Sequence, residues 1–163
     1  MVSNLSETGS SVLVGINHEF AQGYVSDTGS GNLKAGFPVH AIAAAGSTWD
    51  GECDAFDPGD APSTENMIAY GFNGVAMERP FQDIDDAFAT GKSFTIVTKG
   101  DVWVPVPSNN DVIAGRLVYP VTNGFSRAPD TGFAYGERRA VGTALMTATG
   151  SSWARIRLWG AEG

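Results

Sequence analysis

The stretch "FTIVTKGDVWVPV", residues 94–106, decides how this chain folds. It predicts two strands that fold back on each other at Gly100. In the second strand, period-two alternation places three valines on one face and leaves Trp103 and Pro105 on the other. Two apolar faces are typical of a strand deep in a sheet, whereas Pro105 has no N–H for a ladder and favours an edge or a bulge. The sequence therefore raises the question of what covers the second face.

Turn-forming residues separate short apolar runs along most of the chain. Glycine accounts for 21 of the 163 residues, which suits many short strands better than long helices. The apolar runs predict strands at residues 37–45, 73–79, 93–99, 101–106, 116–121, 124–128, 140–147 and 153–159. Turns are predicted at Gly100, at Asn123-Gly124 in type I′ geometry, and at residues 147–152. Successive hairpins of this kind predict an all-β fold, a small antiparallel barrel or sandwich.

Three segments fall outside this strand pattern. Residues 1–34 combine two short apolar stretches with linker-like pieces, which indicates an extended N-terminal arm that is loosely held or that docks outside its own core. Residues 35–163 form the β domain, and the whole chain has the length of a single domain. Residues 47–66 predict a long acidic loop. Residues 81–91 carry apolar side chains at helical spacing and predict at most one short helix.

The charge of the chain narrows the choice of partners. A formal net charge of −8 argues against nucleic acid, whose affinity for proteins comes largely from Lys and Arg. No apolar run is long enough to cross a bilayer, and the first residues lack a secretory signal, so we expect cytoplasmic synthesis and no membrane partner. Acidic residues concentrate between residues 50 and 86 and arginines in the last third. The two parts can attract each other within one subunit or between subunits, and ordinary surface charge that happens to sort along the sequence is the alternative.

Residues suited to catalysis or metal binding are scarce. The two histidines are His18 in the predicted arm and His40 in an apolar strand, where packing is the simpler role. Cys53 lies between two acids, which disfavour a thiolate. Residues 50–61 resemble a calcium loop at their first acids but lack its glycine and its final glutamate. We therefore expect no catalytic residues, metal, cofactor or small-molecule substrate, although a carboxylate pair for glycoside hydrolysis stays open.

The last strand, "WARIRLW" at residues 153–159, is the most informative stretch for function. Alternation sends Ala154, Ile156 and Leu158 to the core and places tryptophans and arginines on the opposite face. Trp and Arg are enriched at the energetic centres of protein–protein contacts. A loop of the same chain, or cross-strand pairing with acids, would also cover them. The predicted interface residues are Trp103, Pro105, Trp153, Arg155, Arg157 and Trp159.

An ordered series of motifs from Gly36 onward resembles the structural cement proteins that decorate the capsids of tailed bacteriophages. The series runs "GFPVHAIAAAG" (36–46), "FNGVAMER" (72–79), "ATGKSFTIVTKGDVWVPV" (89–106), "AGRLVYPVTNGFSRA" (114–128) and "ERRAVGTALMTATGSSWARIRLWG" (137–160). The order and spacing of the motifs carry the resemblance. Two features differ from the family pattern. The acidic insert at 47–66 is longer than the family's, and Pro105 stands where the family usually has a polar or charged residue.

The resemblance implies a non-enzymatic virion protein that sits on the outer capsid surface, often as a homotrimer, and ties adjacent major capsid protein subunits together. Such a bridge stabilises the head against the pressure of packaged DNA. A carbohydrate-binding β module of a phage fibre or secreted enzyme, with the same tryptophans stacked on sugar rings, is the alternative.

Overall fold

The computed structural model describes residues 12–25, 33–41, 52–56, 72–78, 86–89, 91–129 and 140–160. These residues contain eleven strands and no helix, which confirms the predicted all-β class. The strands are β1 (Leu13–Val25), β2 (Pro38–Ala41), β3 (Glu52–Ala55), β4 (Phe72–Ala76), β5 (Ser93–Val106), β6 (Asp111–Val112), β7 (Leu117–Val121), β8 (Gly124–Ser126), β9 (Gly142–Ala144), β10 (Ala148–Thr149) and β11 (Ser152–Trp159).

The first five strands pair around in a circuit. Their order is β1-β3-β2-β4-β5, and β5 pairs again with β1. Five strands cannot alternate in direction all the way around a ring, so at least one neighbouring pair must be parallel. That pair is β1 with β3, where Tyr24 is opposite Glu52 and Val25 is opposite Cys53. The other pairs of the circuit are antiparallel.

The second half of the chain extends the sheet from the C-terminal half of β5. There β5 pairs with β11, and the sheet continues through β9 and β7 to β8. The sheet curls back on itself, so that its last strand, β8, lies against β5. The contact is close, because a Cβ built on Gly124 of β8 would overlap the carbonyl oxygen of Pro105 in β5. Asn123 has a φ of 63° and closes the predicted β7–β8 hairpin. The loop is Thr122-Asn123, one residue earlier than predicted, since Gly124 already pairs with Val121.

The predicted hairpin at Gly100 is wrong. Residues 93–106 form one continuous strand, β5, whose neighbour on one edge changes from β4 to β11 near Gly100. Gly100 has a φ of 118°, and a Cβ at this position would lie 2.5 Å from Cδ2 of His18. The missing side chain of Gly100 therefore leaves room for the ring of His18, and the chain does not reverse its direction there.

The predicted N-terminal arm is wrong for residues 12–25 and for Leu33. Residues 13–25 form β1, which pairs with β5 along most of its length and with β3 at its end. Val12 and Leu33 are fully buried. The sequence of β1 shows no clear alternation of apolar and polar residues, because an irregularity between Val14 and Glu19 interrupts the register of β1 with β5. Residues 1–11 and 26–32 of the predicted arm lie outside the described residues.

Two further predictions about segments need correction. The acidic stretch 47–66 is not all loop, because Glu52–Ala55 forms β3 inside the strand circuit, with Cys53 and Asp54 buried. Of the stretch predicted as a short helix, residues 86–89 and 91 are described and are not helical. Residues 81–85 and 90 lie outside the described part of the chain.

Candidate functional site

The two outward faces identified in the sequence form one surface. β11 pairs antiparallel with β5, which places Trp153 opposite Pro105, Arg155 opposite Trp103, and Arg157 opposite Asp101. Directly opposed side chains share one face of a sheet, about 5 Å apart. We call this surface the Trp–Arg face; it comprises Trp103, Pro105, Trp153, Arg155, Arg157 and Trp159, the six residues predicted from the sequence.

The opposite side of the same ladder belongs to the core. Val102, Val104 and Ile156 have no solvent-exposed area, and Leu158 has 1%. Burying a side chain of this size stabilises the fold by about 1.5–3 kcal/mol. The alternation of both strands is therefore fixed by burial, and it holds the Trp–Arg face outward on a rigid two-stranded support.

The second face of the Trp103 strand is partly covered by the chain itself. A Cβ built on Gly36 would lie 2.6 Å from Cζ3 of Trp153 and 3.1 Å from Cδ of Pro105, so this glycine packs directly against both rings. Trp103 donates its backbone N–H to the carbonyl oxygen of Val12 at 2.8 Å. Trp103 and Trp153 are half-buried and pack against the core. The two indoles are thus held in place, with part of each ring left open to solvent.

One arginine of the face is neutralised internally. Arg157 donates to both carboxylate oxygens of Asp101, at 2.7 Å and 3.0 Å. This hydrogen bonding lowers the pKa of Asp101 below its ordinary value of 3.8, against the opposing effect of burial, and the nearby charges of Arg157 and Arg155 act in the same downward direction. Arg157 and Asp101 therefore form a fixed ion pair.

Arg155 differs from Arg157 in having no hydrogen-bonded or ion-pair partner among the described residues. Its side chain is exposed, and within the described part of the chain no hydrogen bond, ion pair or ring contact holds its guanidinium group. Among the described residues, Arg155 therefore supplies a positive charge on the face without an ion pair of its own.

The face extends beyond the residues that the sequence indicated. Thr143 of β9 lies opposite Arg157, and Leu117 of β7 lies opposite Thr143. Leu117 is one of the exposed large hydrophobic side chains, at 46%. Sequence reasoning missed Leu117 because the run 116–121 shows no contrast in polarity between its two faces. Only the register across three strands places this side chain on the same side of the sheet as the arginines.

The pair between Arg157 and Asp101 gives a pH-dependent prediction. Because the pKa of folded Asp101 lies below 3.8, its contribution to stability is complete above that value and is lost as the pH falls through the folded-state pKa. We expect Asp101→Asn to lower the free energy of unfolding at about pH 6 and to cost less at about pH 3, as measured by urea unfolding. Arg157→Gln should show the same convergence. A cost of Asp101→Asn that is equal at both pH values would contradict the assignment.

The histidine and the cysteine that the sequence offered for chemistry, His40 and Cys53, both lie in the β2–β3 ladder. His40 is buried, packs edge-to-face on Phe56 with ring centroids 6.1 Å apart, and lies opposite Asp54 in the β2–β3 ladder. Cys53 is a buried free thiol. Among the described residues no three His, Cys, Asp or Glu side chains cluster as metal ligands would.

Two open cavities accompany the sheet. One, of about 590 Å³, lies between the turn at 107–111 and the segment 121–129, and its rim carries the ion pair of Arg127 with Asp111 at 2.9 Å. The other, of about 250 Å³, lies between Asn17 of β1 and Arg157 of β11, beside the Trp–Arg face. Its cations are paired, Arg157 with Asp101 and Lys99 with Glu19.

No protein-family model matches this chain, and no curated protein matches it either. Within the described ranges, no helix has the length and apolar character needed to cross a bilayer. The interpretation of function therefore depends on the geometry of the Trp–Arg face and on the motifs of the sequence.

Proposed function

We propose that this protein is a non-enzymatic structural protein of a tailed bacteriophage, which decorates the outer capsid surface and joins adjacent major capsid protein subunits. The observation that carries the proposal is the Trp–Arg face. Three tryptophans and two arginines line one side of the β5–β11 ladder, and the aliphatic core fixes the other side.

The composition and the rigidity of this face suit binding to another folded protein. Large rings and guanidinium groups contribute most to protein–protein affinity when they are held in place before binding. Trp103 and Trp153 meet that condition, because each packs against the core and keeps part of its ring exposed. Leu117 adds exposed apolar area on the same side. Binding through this face would remove the remaining indole surface from water.

The resemblance of the sequence to capsid cement proteins supports the choice of partner. A shell repeats the same contact many times, so modest individual contacts give strong reinforcement once several act together. A closed oligomer, such as the homotrimer that the resemblance implies, presents several such faces at once. The net charge of −8 opposes binding to the genome inside the head and suits a position on the virion exterior.

Co-sedimentation tests the proposal directly. The purified protein is mixed with empty shells assembled from the major coat protein of the same virus, and the pelleted fraction is measured against protein concentration. We expect saturable binding in a fixed ratio to coat subunits, with an increase in the thermal midpoint of the shells.

The same preparation is also screened on a glycan array, since tryptophans on a sheet face also stack on sugar rings. Saturable glycan binding without shell binding would replace the proposal with a carbohydrate-binding module. Binding to neither would overturn the proposed function.

A further inference from the structure

We propose that the coat-protein partner presents an Asp or Glu carboxylate to Arg155, which lies on the Trp–Arg face opposite Trp103 and two residues from Trp153. This inference rests on the proposed function and names the chemistry of the partner on the same face. It makes Arg155 the residue that determines specificity.

The distribution of charge on the face singles out Arg155. Arg157 is bound through two hydrogen bonds to Asp101, so its charge is already compensated. Lys99, opposite Trp159 in the ladder, is paired with Glu19 at 3.2 Å. Arg155 has no such pair among the described residues and is exposed. Counted over the described residues, the face therefore carries one positive charge without an ion pair, and a complementary partner supplies the negative one.

The surroundings of Arg155 strengthen a charged contact. Trp103 lies directly across the ladder, and Trp153 lies two residues earlier on the same face of β11. Once a partner covers these rings, the site loses water and its effective dielectric falls, which strengthens a guanidinium–carboxylate bond. The planar guanidinium group also donates two parallel hydrogen bonds to one carboxylate, a geometry that a lysine cannot reproduce.

The same charge argues against a second copy that binds face to face. A two-fold contact through the Trp–Arg face would bring Arg155 close to the Arg155 of the other copy, and like charges oppose that arrangement. A head-to-tail contact, with an acidic segment of another copy on the face, is compatible with the charge and is separated from the proposal by the experiment below.

The first experiment converts the proposed ion pair into a covalent bond. Arg155→Lys keeps the positive charge and adds a primary amine, which a carbodiimide joins to a carboxylate in direct contact. The background is low because the natural chain has only three lysines, Lys34, Lys92 and Lys99. The variant is bound to shells and cross-linked, and the linked peptides are identified by mass spectrometry. We expect position 155 to be linked to an Asp or Glu of the coat protein.

The second experiment reverses the charge. We expect Arg155→Glu to weaken shell binding by at least about tenfold while the thermal midpoint of the free protein changes little, because the side chain is exposed and, in the described part of the chain, is held by no hydrogen bond or ion pair. Arg116→Glu is the matched control, because Arg116 is also exposed, makes no ion pair in the described part and lies outside the ladder. This control should bind shells like the natural protein.

The outcomes separate the inference from the proposed function. If the natural protein does not bind shells at all, the proposed function fails. If it binds and Arg155→Glu binds equally well, with no link from position 155 to the coat, the function stands and the inference is overturned. A link from position 155 to an acid of another copy also overturns it, because the partner on this face is then the protein itself.

Discussion

Gly142→Ala is expected to destabilise the protein strongly, with the thermal midpoint lowered by roughly 6–12 °C. Gly142 is buried in β9, opposite Leu158 of β11 and Val118 of β7. A Cβ at this position would overlap the carbonyl oxygen of Arg157. A backbone carbonyl group cannot rotate aside as a flexible side chain can. The added methyl group therefore forces β9 away from β11, which lowers the free energy of unfolding by roughly 3 kcal/mol. In a chain of this length each kcal/mol lowers the midpoint by about 2–4 °C.

Gly115→Ala provides the matched control for this prediction. Gly115 has a φ of 78°, but a Cβ there would have no atom within 4 Å. Its substitution costs only the strain of the left-handed backbone, roughly 1–2 kcal/mol. Differential scanning fluorimetry should therefore give Gly142→Ala a clearly lower thermal midpoint than Gly115→Ala. A midpoint for Gly142→Ala equal to that of the natural protein would show that β9 and β11 are not in close contact.

Arg157→Glu combined with Trp159→Ala is expected to abolish shell binding, by a hundredfold or more, while the monomer stays folded. The arginine change removes the bond to Asp101 and places two carboxylates opposite each other on the ladder, which lowers stability only modestly because the arginine side chain is exposed to solvent. The tryptophan change removes a half-buried anchor at the end of the face. Loss of two adjacent interface anchors exceeds the roughly 2.7 kcal/mol that a hundredfold change in affinity requires.

The measurement is co-sedimentation with shells, supported by circular dichroism to verify the fold of the variant. Arg127→Glu is the control, because Arg127 also pairs with an aspartate, Asp111 at 2.9 Å, but lies outside the β5–β11 ladder. The control should lose its ion pair and keep full binding. Full capsid occupancy by the double variant would show that the Trp–Arg face is not the contact surface.

The structure changes how substitutions of the other tryptophans should be interpreted. Trp103 and Trp153 pack against the core, so truncation of either reduces stability as well as any contact with a partner. Arg155 offers the cleaner probe, since its side chain is exposed and, among the described residues, is held by no hydrogen bond or ion pair. A binding defect of Arg155→Glu can therefore be attributed to the interface itself.

Period-two alternation was sufficient to assign the two faces of β11 and of the C-terminal half of β5. A strand that buries one side must send alternate residues to the core, and Val102, Ile156 and Leu158 are buried as that rule requires. The same rule identified the outward tryptophans and arginines without knowledge of any pairing.

Local patterns misled wherever the cause of a conformation lay elsewhere in the chain. The glycine at position 100 suggested a turn, although the ring of His18 is the reason for it. Residues 13–25 looked like an arm, because an interrupted register hides the alternation of β1. Glu52–Ala55 looked like acidic loop, although this segment closes the strand circuit between β1 and β2.

By itself the sequence determined the all-β class and which side chains of two strands face outward, because both depend on local periodicity and on the burial of apolar groups. Only the tertiary structure decided that these strands are neighbours and that Arg157, rather than Arg155, forms the hydrogen-bonded ion pair with Asp101. Those facts depend on register between segments about fifty residues apart, and register is set by the packing of the whole sheet.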